Sequence, residues 1–171
     1  MHRAFRQSLA AKCMKKVIAV LTTIIFLFLA FWLGEAGKGL FQIFPYVAGL
    51  VGILTIPSLM STKLKYRAFV GFLFIVFYAA AFYMGHLSFY RAYNACLESA
   101  EQIRTDLSVY KTKNGKYPEV LDDLNSPLPC ERCLRGTILE YESTASSYKI
   151  WFKDRLVEHR ATDKEPFFAH K

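Results

Sequence analysis

Three stretches without Asp, Glu, Lys or Arg dominate the first half of this 171-residue chain. They hold 18 residues between Lys16 and Glu35, 24 between Lys38 and Lys63, and 23 between Arg67 and Arg91. A helix needs roughly 20 mostly apolar residues to cross the hydrocarbon core of a bilayer. Each stretch meets that length, the first narrowly, and together they predict transmembrane helices over residues 17–34, 40–60 and 68–85. Trp32 stands near the end of the first, where aromatic rings favour the interface. Pro45 and Pro57 are expected to bend or loosen the second. Ala48 and Gly52 either permit close helix approach or simply face lipid. Ionisable residues inside a membrane usually mark ion or proton pathways. The three spans carry no Asp, Glu, Lys or Arg, which argues against a transporter, a small channel or a proton conductor.

The chain is 53% hydrophobic and carries a formal net charge of +8. A strongly basic balance can signal nucleic acid, but such a footprint belongs on a folded domain. Here the excess lies elsewhere. Arg3, Arg6, Lys12, Lys15 and Lys16 crowd the first 16 residues, and Lys63, Lys65 and Arg67 fill the second loop. Residues 86–171 hold 13 cations and 13 anions. The pattern excludes a nucleic-acid partner and is instead topology information, because cytoplasmic loops are enriched in Lys and Arg. It places residues 1–16 as a basic cytoplasmic tail, the first loop outside, the second inside, and residues 86–171 outside. In a bacterium this describes a multi-pass protein of the cell inner membrane with a periplasmic or extracytoplasmic domain. Gly34-Glu35-Ala36 also reads as a signal-peptidase site. Cleavage there would leave almost no spacer before the second span, so a retained anchor is expected.

Beyond the third span, Tyr93, Cys96, Leu97, Ala100, Ile103, Leu107 and Tyr110 recur three and four residues apart, as on the apolar face of an amphipathic helix. Gly85 is the one expected break in a helix that otherwise runs from Ala68 to Lys113. Asn114-Gly115 ends it, since both residues tolerate the left-handed conformation at a helix C-terminus. Tyr117-Pro118 restarts the chain with Pro118 at the first position of a short helix, which Asn125-Ser126-Pro127 stops. Thr137–Tyr141 and Tyr148–Phe152 alternate with period two and read as half-buried strands around a Ser143–Ser147 hairpin loop. Leu156-Val157 suggests a third strand, and Ala161–Lys171 reads as irregular. The expected fold is three transmembrane helices plus a small α+β extracytoplasmic domain, in which the long helix continuing from the third span packs on a small antiparallel sheet.

Residues 68–160 resemble the type IV pilins and the pseudopilins of type II secretion. The likeness rests on the helix that is apolar and then amphipathic, on Tyr110-Lys111 near its end, on Asn114-Gly115-Lys116-Tyr117-Pro118 with Leu121 and Leu124 behind it, and on the two strands that follow. It implies a small head domain built against the helix and a non-enzymatic role in protein–protein contact, with an envelope protein of secretion or pilus machinery as partner. Two departures accompany it. Gly71-Phe72 has the look of a processed pilin start, but the fifth position from Phe72 is Val76 where the family carries Glu, and two further spans precede it. The resemblance therefore implies a fixed, membrane-anchored module rather than a filament subunit.

No hydrolase elbow, phosphate loop, dinucleotide fingerprint or zincin motif occurs, and no catalytic residue, cofactor or metal is expected. His2, His86, His159 and His170 are scattered. Glu119, Asp122 and Asp123 suggest either calcium or, more simply, the polar face of a short helix. Cys130-Glu131-Arg132-Cys133 is the one chemically distinctive site. Outside the cytoplasm a stapling disulfide between Cys130 and Cys133 is expected. The alternatives are a membrane-tethered thiol–disulfide protein using this pair, half of a zinc site, inert thiols, or pairing of one of them with Cys96. Cys96, on the apolar stripe, reads as a buried free thiol, and Cys13, in the basic tail, as unpaired. Trp151 falls on the opposite strand face from Ile150 and Phe152, where it either contacts a partner or packs under the C-terminal segment.

Overall fold

The computed structural model describes residues 2–37, 43–60, 63–124, 130–154 and 157–170. The chain divides into two units, Met1–Ala36 with Leu40–His86, and Gly37–Gly39 with Leu87–Lys171.

Helix α1 spans His2–Gly34 and so begins well before the predicted span. The basic segment ahead of Val17 is rich in Arg, Lys, Ala, Gln and Leu, all good helix formers, and has no Gly or Pro to interrupt it. Helix α2 spans Ile43–Met60, and α3 spans Leu64–Asn114. All three are long and apolar enough to cross a membrane, by length and composition. Their outward faces suit lipid: Ile25, Leu54 and Phe72 are 64%, 64% and 62% exposed. In water so much exposed apolar surface would drive association.

Glycines set how the helices of the first unit meet. A β-carbon on Gly34 would strike the carbonyl oxygen of Phe82, and one on Gly85 that of Phe31. The backbones of α1 and α3 therefore touch directly, as small residues permit in lipid. Gly85 does not interrupt α3, which runs straight through it; the missing side chain makes room for a neighbouring helix rather than a break. On α2 the close approach is made by Gly52, facing the Phe74 ring, and Gly49, facing Tyr78. Gly52 thus makes a close approach, with Gly49 rather than Ala48 beside it. Phe26 meets Phe74 edge-on at 6.0 Å. Pro45 lies in the first turn of α2, where its missing N–H costs nothing, and its carbonyl accepts a 2.8 Å hydrogen bond from Tyr78 Oη.

The second unit is built on the far part of α3. Cys96, Ile103 and Leu107 from its apolar stripe pack with Tyr117, Leu121, Leu124, Leu139, Tyr148, Ile150, Phe152 and Ala161. Leu97, at the edge of that stripe, stays 42% exposed. After α3 come a 3-10 turn at Leu121–Asp123, a short hairpin of β1 (Glu131–Arg132) and β2 (Gly136–Thr137), and a meander of β3 (Glu140–Ser143), β4 (Tyr148–Asp154), β5 (Val157–Thr162) and β6 (Phe168–His170). The four meander strands are antiparallel in sequence order. The predicted strand Thr137–Tyr141 is thus divided between two sheets. Leu139 N–H donates to Thr137 Oγ1 at 3.0 Å between them. The segment read as irregular contains the end of β5 and all of β6. Its ordering comes from pairing, the end of β5 with β4 and β6 with β5, not from any alternation of its own. The expected stop at Asn125–Pro127 and the strand start at Leu156 lie outside the described residues, as do the side chains of His2, Cys13 and His170.

Candidate functional site

The Asn114–Pro118 corner is the first place where specific side chains converge. Gly115 has φ 75°, the left-handed conformation expected there, and its N–H reaches Lys111 O at 2.8 Å. Asn114 Nδ2 donates to Tyr110 O at 3.0 Å. The Tyr117 ring is buried, stands edge-on to Tyr148 at 4.8 Å, and lies under Lys111 Nζ at 4.4 Å. Pro118 does not open a helix; the 3-10 turn begins later, at Leu121, behind the extended Val120. The Pro118 carbonyl instead accepts two hydrogen bonds, from Tyr141 Oη at 2.9 Å and Ser143 Oγ at 2.7 Å. A carbonyl oxygen has two lone pairs, and β3 supplies a donor for each. The corner is therefore a joint between α3 and the sheet edge.

The cysteines pair differently from the expected staple. The disulfide joins Cys96 and Cys130, and Cys133 is an exposed free thiol. Strand β1 lies between Cys130 and Cys133. Three residues of extended chain span roughly 10 Å, beyond the ~7 Å between Cα atoms that a disulfide can bridge. Cys96, on the buried stripe of α3, is the partner within reach. The bond closes a 34-residue separation and ties the hairpin to the helix. The thiol–disulfide reading thereby loses its pair.

Trp151 lies on β4 with Lys149, opposite the buried Tyr148, Ile150 and Phe152. Lys149 Nζ sits 4.3 Å above its ring. Strand register places Glu140, Trp151, Arg160 and Phe168 in one row across the meander, and the Arg160 guanidinium lies 5.5 Å from the Phe168 ring. Trp and Arg are the residue types that most often anchor protein interfaces. Of the acidic residues weighed as calcium ligands or, more simply, a polar face, Glu119 pairs with Lys116 at 3.6 Å, while Asp123 lines an open groove of about 450 Å³ with Asp106 and Lys113. Among the described residues no group of three or more His, Cys, Asp or Glu side chains could hold a metal ion.

Two polar clusters were not legible in the sequence. Tyr93 Oη and His159 Nε2 share a 2.8 Å hydrogen bond, and the His159 ring stacks on Phe152 at 5.0 Å. Burial holds the His159 imidazole below its ordinary pKa, with the Asp154 carboxylate opposing that shift. Glu101 joins α3 to the β5–β6 connection: it accepts from Arg104 Nη1 at 2.7 Å and from Phe167 N–H at 3.4 Å. Arg104 Nη2 reaches Thr162 O at 3.5 Å. The Tyr93–His159, Glu101–Phe167 and Arg104–Thr162 contacts each join residues more than 50 apart in sequence, so no local spacing signals them.

No protein-family model, curated protein or solved structure matches the chain.

Proposed function

We propose that this chain is a non-enzymatic multi-pass protein of a bacterial inner membrane that presents a pilin-like domain outside the cytoplasm as a docking module for an envelope protein of secretion or pilus machinery. The supporting observation is α3, a single 51-residue helix, apolar in its first part, whose later part forms the core of a four-stranded antiparallel meander. The Asn114–Pro118 corner that carries the resemblance joins that helix to the sheet. Val76 and the two preceding spans favour a stationary module over a filament subunit. The row around Trp151 is the contact surface of this reading.

A photo-cross-linking residue at Trp151, in the full-length protein in its native membrane, tests it. The expected product is a cross-link to a secretion or pilus component that disappears with Arg160→Glu. A folded protein that gives no such product from Trp151 would overturn the reading.

A further inference from the structure

Two segments of the second unit meet α3 at the same height. At the turn of the β1–β2 hairpin, the Cys133 N–H donates to Ser88 Oγ at 3.1 Å. Gly37, on the connection between α1 and α2, lies so close to Phe89 that a β-carbon on it would stand 2.9 Å from the ring. A short connection between two membrane-spanning helices lies at a membrane surface, so Ser88 and Phe89 mark where α3 reaches that surface. The charge pattern agrees. Ser88 falls near the end of the uncharged run 68–90. That run is about 35 Å long as a helix, against a hydrocarbon core of roughly 30 Å. The first charge beyond it is Arg91.

The hairpin turn is thus bonded to α3 where its uncharged run ends, and its residues suit a membrane surface. Cys133 is exposed, Leu134 is 45% exposed, and Arg132 and Arg135 flank them. An apolar tip bordered by long cationic side chains is an interfacial pattern. The turn is also held in shape. The Arg132 guanidinium donates to the carbonyls of Gly136 at 3.1 Å, Arg135 at 3.1 Å and Thr137 at 2.9 Å. The Cys96–Cys130 disulfide and the Ser88 bond fix the hairpin to α3. Little conformational entropy is left to lose when the tip meets lipid.

We propose that the hairpin tip Cys133-Leu134-Arg135 is a lipid-binding surface that enters the headgroup–acyl boundary of the bilayer holding the chain's own helices, with Leu134 in the apolar layer and Arg135 among the phosphates. It requires α1–α3 to span a membrane and does not depend on the docking role of Trp151.

The test uses full-length protein in phosphatidylcholine–phosphatidylglycerol nanodiscs, with Cys13→Ser so that an environment-sensitive fluorophore labels Cys133. A control carries the label at Ser146→Cys in a Cys13→Ser, Cys133→Ser background. Ser146 is held by Lys111 Nζ at 3.0 Å, about 35 Å further along α3 than Ser88. The expected result is blue-shifted emission at Cys133, quenched by lipids carrying a shallow nitroxide, with water-like emission at Ser146. Leu134→Glu should return the Cys133 probe to water-like emission without moving the control. Water-like emission at Cys133 overturns the proposal. So does a blue shift that lipid nitroxides fail to quench, which would mean burial against protein, and so does equal lipid quenching at both positions.

Discussion

Cys96 and Cys130 form a covalent tie between the long helix and the chain that folds back on it. Closing a 34-residue separation removes about 4 kcal/mol of chain entropy from the unfolded state. Cys96→Ser and Cys130→Ser should each destabilise the second unit by roughly 2–5 kcal/mol, read by denaturant unfolding without reductant. Cys133→Ser should leave stability unchanged, and an equal loss there would contradict the pairing. His159 supplies a pH-dependent term. Its folded-state pKa lies below the ordinary imidazole value because burial disfavours the imidazolium. The unfolded chain therefore binds the proton more readily, and the stability tied to the neutral ring is complete above about pH 6.5. It is lost as pH falls through the lower folded value. Melting temperatures should drop from pH 7 to pH 5, and His159→Phe should flatten that slope while keeping the stack on Phe152. An unchanged slope would remove His159 from the account. The Lys153–Glu158 pair at 2.8 Å acts in a separate, more acidic window, because Glu158 is lowered from 4.5, chiefly by its hydrogen bond to Lys153.

Helix α3 shows how one residue type serves opposite ends. At Gly115 the backbone has φ 75° and nothing lies within 4 Å of an added β-carbon. Gly115→Val should therefore cost only backbone strain, roughly 1–2 kcal/mol. Unfolding of the second unit would show it, and a loss beyond about 4 kcal/mol would mean a packing role that the geometry lacks. At Gly85 the backbone is helical and the space is filled by the Phe31 carbonyl. Gly85→Val must separate α1 from α3, and detergent-solubilised variant should elute as expanded or aggregated protein. Gly71→Ala is the comparison, since only Pro57 Cγ, 3.6 Å away, faces it. If both variants behaved as the parent, the direct backbone contact of α1 and α3 would be wrong.

The proposed orientation of the chain in a membrane rests on charge. Eight uncompensated cations lie in the first 16 residues and the second loop, and residues 86–171 are neutral. The proposed topology, built on the usual Lys/Arg bias toward the cytoplasm, puts Cys13 and Cys133 on opposite sides. In spheroplasts a membrane-impermeant maleimide should modify Cys133→Ala/Cys13 protein only after lysis. Lipid contact at the hairpin tip would slow but not reverse the outside accessibility of Cys133 in the Cys13→Ala protein. Labelling of Cys13 from outside would invert the topology and exclude the proposed docking role.

Much of this was legible in the sequence because it depends on neighbours three or four residues apart, or two apart. Length without charge set the three spans, the stripe from Cys96 to Tyr110 set the amphipathic part of α3, and Asn114-Gly115 set its end. Period-two alternation found β4 and its hairpin with β3. What it missed depends on partners distant in the chain. Cys96 found Cys130 rather than Cys130 finding Cys133, because an extended strand separates the nearer pair. Pro118 was drawn from a helix start to a carbonyl bridge by two hydroxyls on β3. Gly85 became a helix crossing because another backbone came to lie against it. Strands β5 and β6 exist through the ladder that β4 begins. Local spacing determined where the chain is helical, apolar or turned. Only the tertiary structure decided which carbonyls, thiols and bare backbones would meet, because those contacts become favourable once distant segments have been brought together.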